Sequence, residues 1–193
     1  MSDSPAPLVL SLFPGLGLLD HAFGLEGFCT VRGPDVIWGG DVRTFHPPPG
    51  RFDGVIGGPP CQSFSALAHL VRSSGHEPRF GNLIPEFERC VAEASPAWFL
   101  MENVRGAPVP VVAGYAVHSF LLCNSALGEP QIRLRRWSFG VRGETPVDLR
   151  RWIELAALKL PRRVPGVCGD ARARPVKLGG SGKLKATLTP AVL

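Results

Sequence analysis

No run of about 18 apolar residues occurs in this chain, so no segment reads as a bilayer-spanning helix and no membrane is expected as a partner. The N-terminus, Met-Ser-Asp-Ser-Pro, has neither the basic start nor the apolar stretch of a secretory signal. The five cysteines are odd in number and widely spaced, with no C-x-x-C pair, which argues against a disulfide framework and against a zinc site. The five histidines are equally scattered and share no metal-ligand spacing with the cysteines, so no metal is expected. Charged residues are few, at 19%, but hydrophobic residues reach 45%, a globular rather than a disordered composition. A soluble protein of a reducing compartment is expected.

What is present points to an α/β domain. At 193 residues the chain is long enough for one such domain with a real core. Its net charge of +5 is compatible with nucleic acid as a partner, because lysine and arginine displace condensed counterions from phosphate. Short apolar runs alternate with helical patterns, the signature of βαβ units and a mostly parallel sheet. Strands are predicted at 9–13, 54–56, 97–101, 119–123 and 132–141, and helices at 18–25 and 83–94. In the second of these helices Leu83, Phe87, Cys90, Val91 and Ala94 recur at helical spacing. Thr145-Pro146-Val147-Asp148 predicts a third helix with a threonine cap and proline at its first position. It should run to Leu160 and bury Leu149, Trp152, Ile153, Ala156 and Leu160. From Arg162 on the composition turns basic, with seven lysines and arginines against the single acid Asp170. Two parts are therefore expected: residues 1–145 as the catalytic or binding domain, and 146–193 as a short helix with a basic tail.

Five segments carry chemistry. Phe13-Pro-Gly15-Leu-Gly17 ends a strand and feeds a helix, where backbone N–H groups of an open α/β sheet meet a nucleotide. The third glycine of the dinucleotide fingerprint is missing, which speaks against NAD. Asp35, expected near the end of a second strand, is placed to accept hydrogen bonds from ribose hydroxyls, and Asp41 from an adenine amino group. Gly57-Gly-Pro-Pro60-Cys61-Gln62-Ser-Phe-Ser65 puts a cysteine on a proline-stiffened turn, where nearby N–H groups favour a thiolate. Phe99-Leu-Met-Glu102-Asn103-Val104 delivers a carboxyl group to the same sheet edge. In Gln131-Ile-Arg133-Leu-Arg135-Arg-Trp137, strand alternation places Arg133, Arg135 and Trp137 on one face, with Ile132 and Leu134 on the other.

In this order the segments resemble the C5-cytosine DNA methyltransferase family, with Gly81-Asn82-Leu83 as a further match and residues 8–141 covered. The resemblance implies a Rossmann-like S-adenosylmethionine-dependent fold, with a mostly parallel sheet, helices on both faces and no large target-recognition domain. It implies S-adenosylmethionine as cofactor, bound by Phe13, Gly15, Gly17, Asp35, Asp41, Pro60 and Leu83. Double-stranded DNA is the implied substrate, with Cys61 as nucleophile, Glu102 as the acid at the base, and Arg133 and Arg135 orienting both. Gln62, Ser65, Arg72 and Arg79 would touch DNA, the last three in a stretch (65–80) where the family has a loop that closes on it.

Departures from the family pattern are specific. Gly17-Leu18 stands where the family has a glycine pair, and Pro14 precedes Gly15. Residues 104–114 are short and rich in Pro and Gly where a helix is usual. The family's last motifs are not recognisable, so a partner chain or homo-oligomer supplying them is one expectation. A DNA-binding or regulatory protein without turnover is the alternative to an enzyme. The small size suggests an orphan or restriction–modification enzyme in the cytoplasm of a bacterial or phage-infected cell.

Overall fold

The computed structural model describes residues 5–60, 81–129 and 131–157. Strands β1 (Leu8–Leu12), β2 (Cys29–Arg32), β3 (Gly54–Gly57), β4 (Trp98–Val104), β5 (Tyr115–Cys123) and β6 (Leu134–Arg142) form one sheet in the order β2-β1-β3-β4-β6-β5. The first four are mutually parallel, and β6 runs antiparallel to both β4 and β5. Helices α1 (Leu18–Leu25) and α2 (Ile84–Ala94) are the crossovers from β1 to β2 and from β3 to β4. These crossovers leave the centre of the sheet in opposite directions, and right-handed connection then puts the helices on opposite faces.

Strand alternation confirms the two faces. Leu10, Leu12, Val55, Phe99 and Met101 point to α2 and share a core with its Ile84, Phe87, Cys90, Val91 and Ala94. Ser11, between Leu10 and Leu12, points the other way and donates its hydroxyl to Asp20 of α1. The α1 face is closed by an aromatic cluster of Phe23, Phe28, Trp98 and Phe139. Gly54 and Gly140 make room for it and for the core: a Cβ there would overlap the rings of Trp98 and Phe99 respectively.

Helix α2 starts where expected, because the Asn82 side chain accepts the Ile84 N–H at 3.0 Å and Pro85 fits the first turn. It stops at Ser95 in the left-handed region, followed by Pro96. Its Phe87 is fully buried and lies in edge contact with Phe99, ring centroids 5.8 Å apart. Phe87→Ala should cost about 3–5 kcal/mol of stability, from lost burial plus the cavity left behind. Urea unfolding checks this, and a loss below about 1 kcal/mol would show that α2 is not the anchor of this face.

Two expectations need correction. Helix α3 spans Leu149–Ala157 and is not started by Thr145 and Pro146. Asp148 caps it instead, accepting the Arg151 N–H at 3.2 Å, while Val147 and Asp148 are held beside His118 of β5. The stripe expected to be buried is only half so: Trp152 is 67% exposed and Ala156 is exposed as well, while Leu149 and Ile153 are half-buried. Leu160 and the basic tail lie outside the described residues.

Candidate active site

Because β1, β3 and β4 are parallel, their carboxyl ends converge on one edge of the sheet. The antiparallel β6 brings its amino-terminal end to the same edge, with Arg135 opposite Val104. Eight of the predicted site residues line two neighbouring cavities there, and Phe13 lines both.

The first cavity is a narrow slot walled by Phe13, Pro34, Asp35, Asp41, Pro60 and Leu83, with Val36, Val42 and Arg43 beside them. Phe13 adopts φ 54°, a left-handed conformation costly for a bulky side chain and most often met at functional sites. It is the hinge at which β1 becomes the glycine turn. Gly15 and Gly17 also have positive φ, and at Gly17 a Cβ would overlap the Arg32 guanidinium. That guanidinium is itself held by Asp20 at 2.9 Å.

Asp35 is not at the end of a strand, since β2 stops at Arg32. It caps a 3-10 turn over Val36–Trp38, taking the Ile37 N–H on Oδ1 at 2.8 Å and the Gly15 N–H on Oδ2 at 3.0 Å. The carboxylate therefore pins the glycine turn, while each oxygen retains capacity to accept a further hydrogen bond. Trp38 completes the brace, donating its indole N–H to the Gly15 carbonyl at 3.2 Å. Asp41 caps a second 3-10 turn over Val42–Thr44 and pairs with Arg43 at 3.3 Å. Both aspartates thus have structural duties the sequence did not show.

The second cavity is a wider crevice of about 480 Å³, lined by Phe13, Gly57, Gly58, Glu102, Arg133, Arg135 and Trp137 among others. Glu102 Oε1 is ion-paired with Arg135 Nε at 3.0 Å and accepts a hydrogen bond from Arg133 Nη2 at 3.4 Å. The expected common face of Arg133, Arg135 and Trp137 is present, although β6 begins only at Leu134 and Arg133 precedes it. Ile132 is 79% exposed, as its opposite orientation requires. Glu102 Oε2, the oxygen without an arginine, lies toward Gly58, 3.6 Å from where a Cβ would stand.

That places the acid against the turn running from Gly57 to Pro60. At Gly57 a side chain would meet the Leu12 carbonyl at 2.7 Å and the Phe87 ring at 3.0 Å, so only glycine fits. Buried Asn103 donates to the Pro59 carbonyl at 3.2 Å and accepts the Val104 N–H at 2.8 Å. Neighbours in β4, Glu102 and Asn103 serve the crevice and the turn respectively. Cys61, Gln62, Ser65, Arg72 and Arg79 lie outside the described residues. Of the described cysteines, burial pushes the Cys90 thiol up to about 11, leaving it inert. The Ser125 hydroxyl donates to Cys123 and lowers its thiol below the ordinary value.

Three side chains were missed at the level of sequence. Trp38 had a legible signal, an aromatic residue three positions after the ribose-type acid. Asn103 was seen only as part of a motif. Arg89, described below, reads in the sequence as an ordinary helix ion pair. No group of three or more potential metal ligands occurs among the described residues. Nor is any described helix long and apolar enough to cross a membrane.

Comparison with known proteins agrees with this geometry. The model of the C-5 cytosine-specific DNA methylase family matches residues 39–108. The Type II methyltransferase M.AquIA of Picosynechococcus sp. is 33% identical over 180 residues, a match covering 69% of this chain and 71% of that protein. The chain belongs to the C-5 cytosine-specific DNA methylase family. Type II methyltransferase M.NgoFVII of Neisseria gonorrhoeae is 32% identical over 180 residues, covering 77% of this chain and 47% of the relative. The chain thus spans about half the length of several methylases it matches. The crystal structure of a Spodoptera frugiperda DNMT2 variant superposes with a TM-score of 0.52 at 20% identity, over 72% of this chain and 51% of that one. This likeness establishes the Rossmann-like methyltransferase fold.

Proposed function

We propose that this methylase-family protein transfers a methyl group from S-adenosylmethionine to carbon 5 of cytosine in double-stranded DNA. One observation carries the reading. Glu102, fixed by two arginines, faces the glycine-proline turn that leads to Cys61, and a slot lined by Asp35, Asp41 and apolar side chains shares Phe13 with the same crevice.

The slot fits the cofactor. Phe13, Pro60 and Leu83 supply apolar walls for a flat base, and Asp35 and Asp41 supply acceptors at its edges for ribose hydroxyls and the exocyclic amine. Gly15 and Gly17 allow close approach on the crevice side. S-adenosylmethionine, when bound there, supplies an electrophilic methyl group.

The residues of the chain prepare the base. Cytosine C5 is too weak a nucleophile to react unaided, and addition of the Cys61 thiolate at C6 pushes the double-bond electrons toward C5. Glu102, through the oxygen its arginines leave free, donates a proton or strong hydrogen bond to N3 and stabilises the charge that builds on the ring. Arg133 and Arg135 keep that oxygen oriented. After C5 is methylated, loss of its proton re-forms the double bond and expels the thiolate. The target base must leave the stacked duplex, and Gln62, Ser65, Arg72 and Arg79 are assigned to the DNA around it.

Incubation of the full chain with duplex DNA and tritiated S-adenosylmethionine tests the proposal. Tritium is expected in the DNA, and a duplex carrying 5-fluorocytosine should be trapped covalently, because its C5 substituent cannot leave as a proton. Tight cofactor and DNA binding with neither signal would sink the enzymatic reading in favour of a regulatory DNA-binding protein without turnover.

A further inference from the structure

The outer wall of the slot, Gly40 to Arg43, belongs to no strand and is shaped by 3-10 turns only. It is held from the side by one residue of α2. Arg89 Nη2 donates to the carbonyls of Val42 at 2.8 Å and Phe45 at 3.0 Å. Its other nitrogens are fixed on the helix itself, with Nε on Glu86 at 2.8 Å and Nη1 on Glu93 at 2.8 Å, three residues before and four after. Glu93 also holds His46 at 3.1 Å, tying the far end of the same segment to α2. A planar guanidinium with two of its edges fixed presents the third in one direction only.

Leu83, on the α2 side of the slot, immediately precedes the helix that carries Arg89. The residue that leads into α2 therefore lines the slot, and the helix itself holds the Gly40–Arg43 wall through Arg89. We infer that Arg89 is a positioning residue that sets the width of the cofactor slot by anchoring the Asp41–Phe45 segment, an inference that rests on the cofactor reading above. Arg89 touches no part of the slot itself, and its effect passes through the Val42 and Phe45 carbonyls. A lysine at this position places one compact charge where four acceptors now sit around a fork. It can pair with a carboxylate of its own helix but cannot hold both carbonyls as well.

The test is calorimetric titration of S-adenosylhomocysteine into the full wild-type chain and into Arg89→Lys. Binding about tenfold weaker in the variant is expected, as two hydrogen bonds to a charged donor are lost. In the tritium assay the KM for cofactor should rise while kcat at saturating cofactor and the KM for DNA stay unchanged. A merely structural arginine would instead lower the folded, active fraction and with it the apparent kcat, leaving the KM for cofactor unchanged. Arg89→Lys binding within about twofold of wild type overturns the inference. If Arg89→Lys does not fold, the double variant Glu86→Gln/Glu93→Gln decides, since it keeps the guanidinium but frees its orientation. Weaker binding there supports the brace, and wild-type binding overturns it. A wild-type chain that binds no S-adenosylhomocysteine overturns the cofactor reading and this inference with it.

Discussion

Cys61→Ala is expected to reduce DNA methylation to background and to abolish covalent trapping of 5-fluorocytosine DNA, while S-adenosylhomocysteine binding and the unfolding midpoint stay near wild type. The expectation rests on what surrounds the position in sequence and space. No other described side chain in the crevice is placed to activate C5: the polar ones are an acid held by two arginines, an amide at Asn124, a tryptophan, and the buried Ser11 hydroxyl, which is given to Asp20. A nucleophile must come from the turn, and the turn is built to hold one. Gly57 is locked between the Leu12 carbonyl and Phe87, and Asn103 fixes the Pro59 carbonyl two residues before Cys61. The other thiols give the control. Cys90 is buried with its titration pushed up to about 11 and cannot substitute. Cys123, whose thiol is lowered by Ser125, belongs to the far strand β5, and Cys123→Ala should keep full methylation. Methylation that survives Cys61→Ala would remove the covalent mechanism, whatever the cofactor does.

Much of this site is legible in the sequence because each piece ends a short apolar run. Leu8–Leu12, Gly54–Gly57 and Trp98–Val104 are buried enough to read as interior strands, so the polar residues that follow them must lie at a common edge. The stripe from Leu83 to Ala94 is likewise found buried at every expected position. What escaped is what tertiary contacts decide. Asp35 and Asp41 look like loop acids free for a ligand, yet both first satisfy backbone donors, because the chain turns twice between β2 and β3 without a full helix to absorb those groups. Arg89 reads as the middle of an i,i+3 and i,i+4 pair, and nothing local says that its third edge reaches two carbonyls more than 40 positions away. Helix α3 was misread because Thr-Pro suited a start. Asp148 suited one as well, and contact with His118 selected it.

Glu102→Gln should lower turnover by about 10²–10³-fold, the usual effect of removing one preorganised group that stabilises developing charge. Glutamine is the informative replacement because it can keep the geometry. Its side-chain oxygen can still accept from Arg133 and Arg135, as Oε1 does now, and its amide then takes the place of Oε2 toward Gly58. The variant can offer N3 a neutral hydrogen bond but cannot transfer a proton, so binding of cofactor and duplex should be retained while the chemical step slows. Trapping of 5-fluorocytosine DNA should slow by the same factor, because Glu102 assists the addition of the thiolate rather than the later loss of the C5 substituent. Single-turnover kinetics measure both rates. Equal slowing places Glu102 at the addition step. Unchanged trapping with slow methylation would move its role to a later step, and wild-type rates in both would leave the two arginines holding an acid with no part in the chemistry.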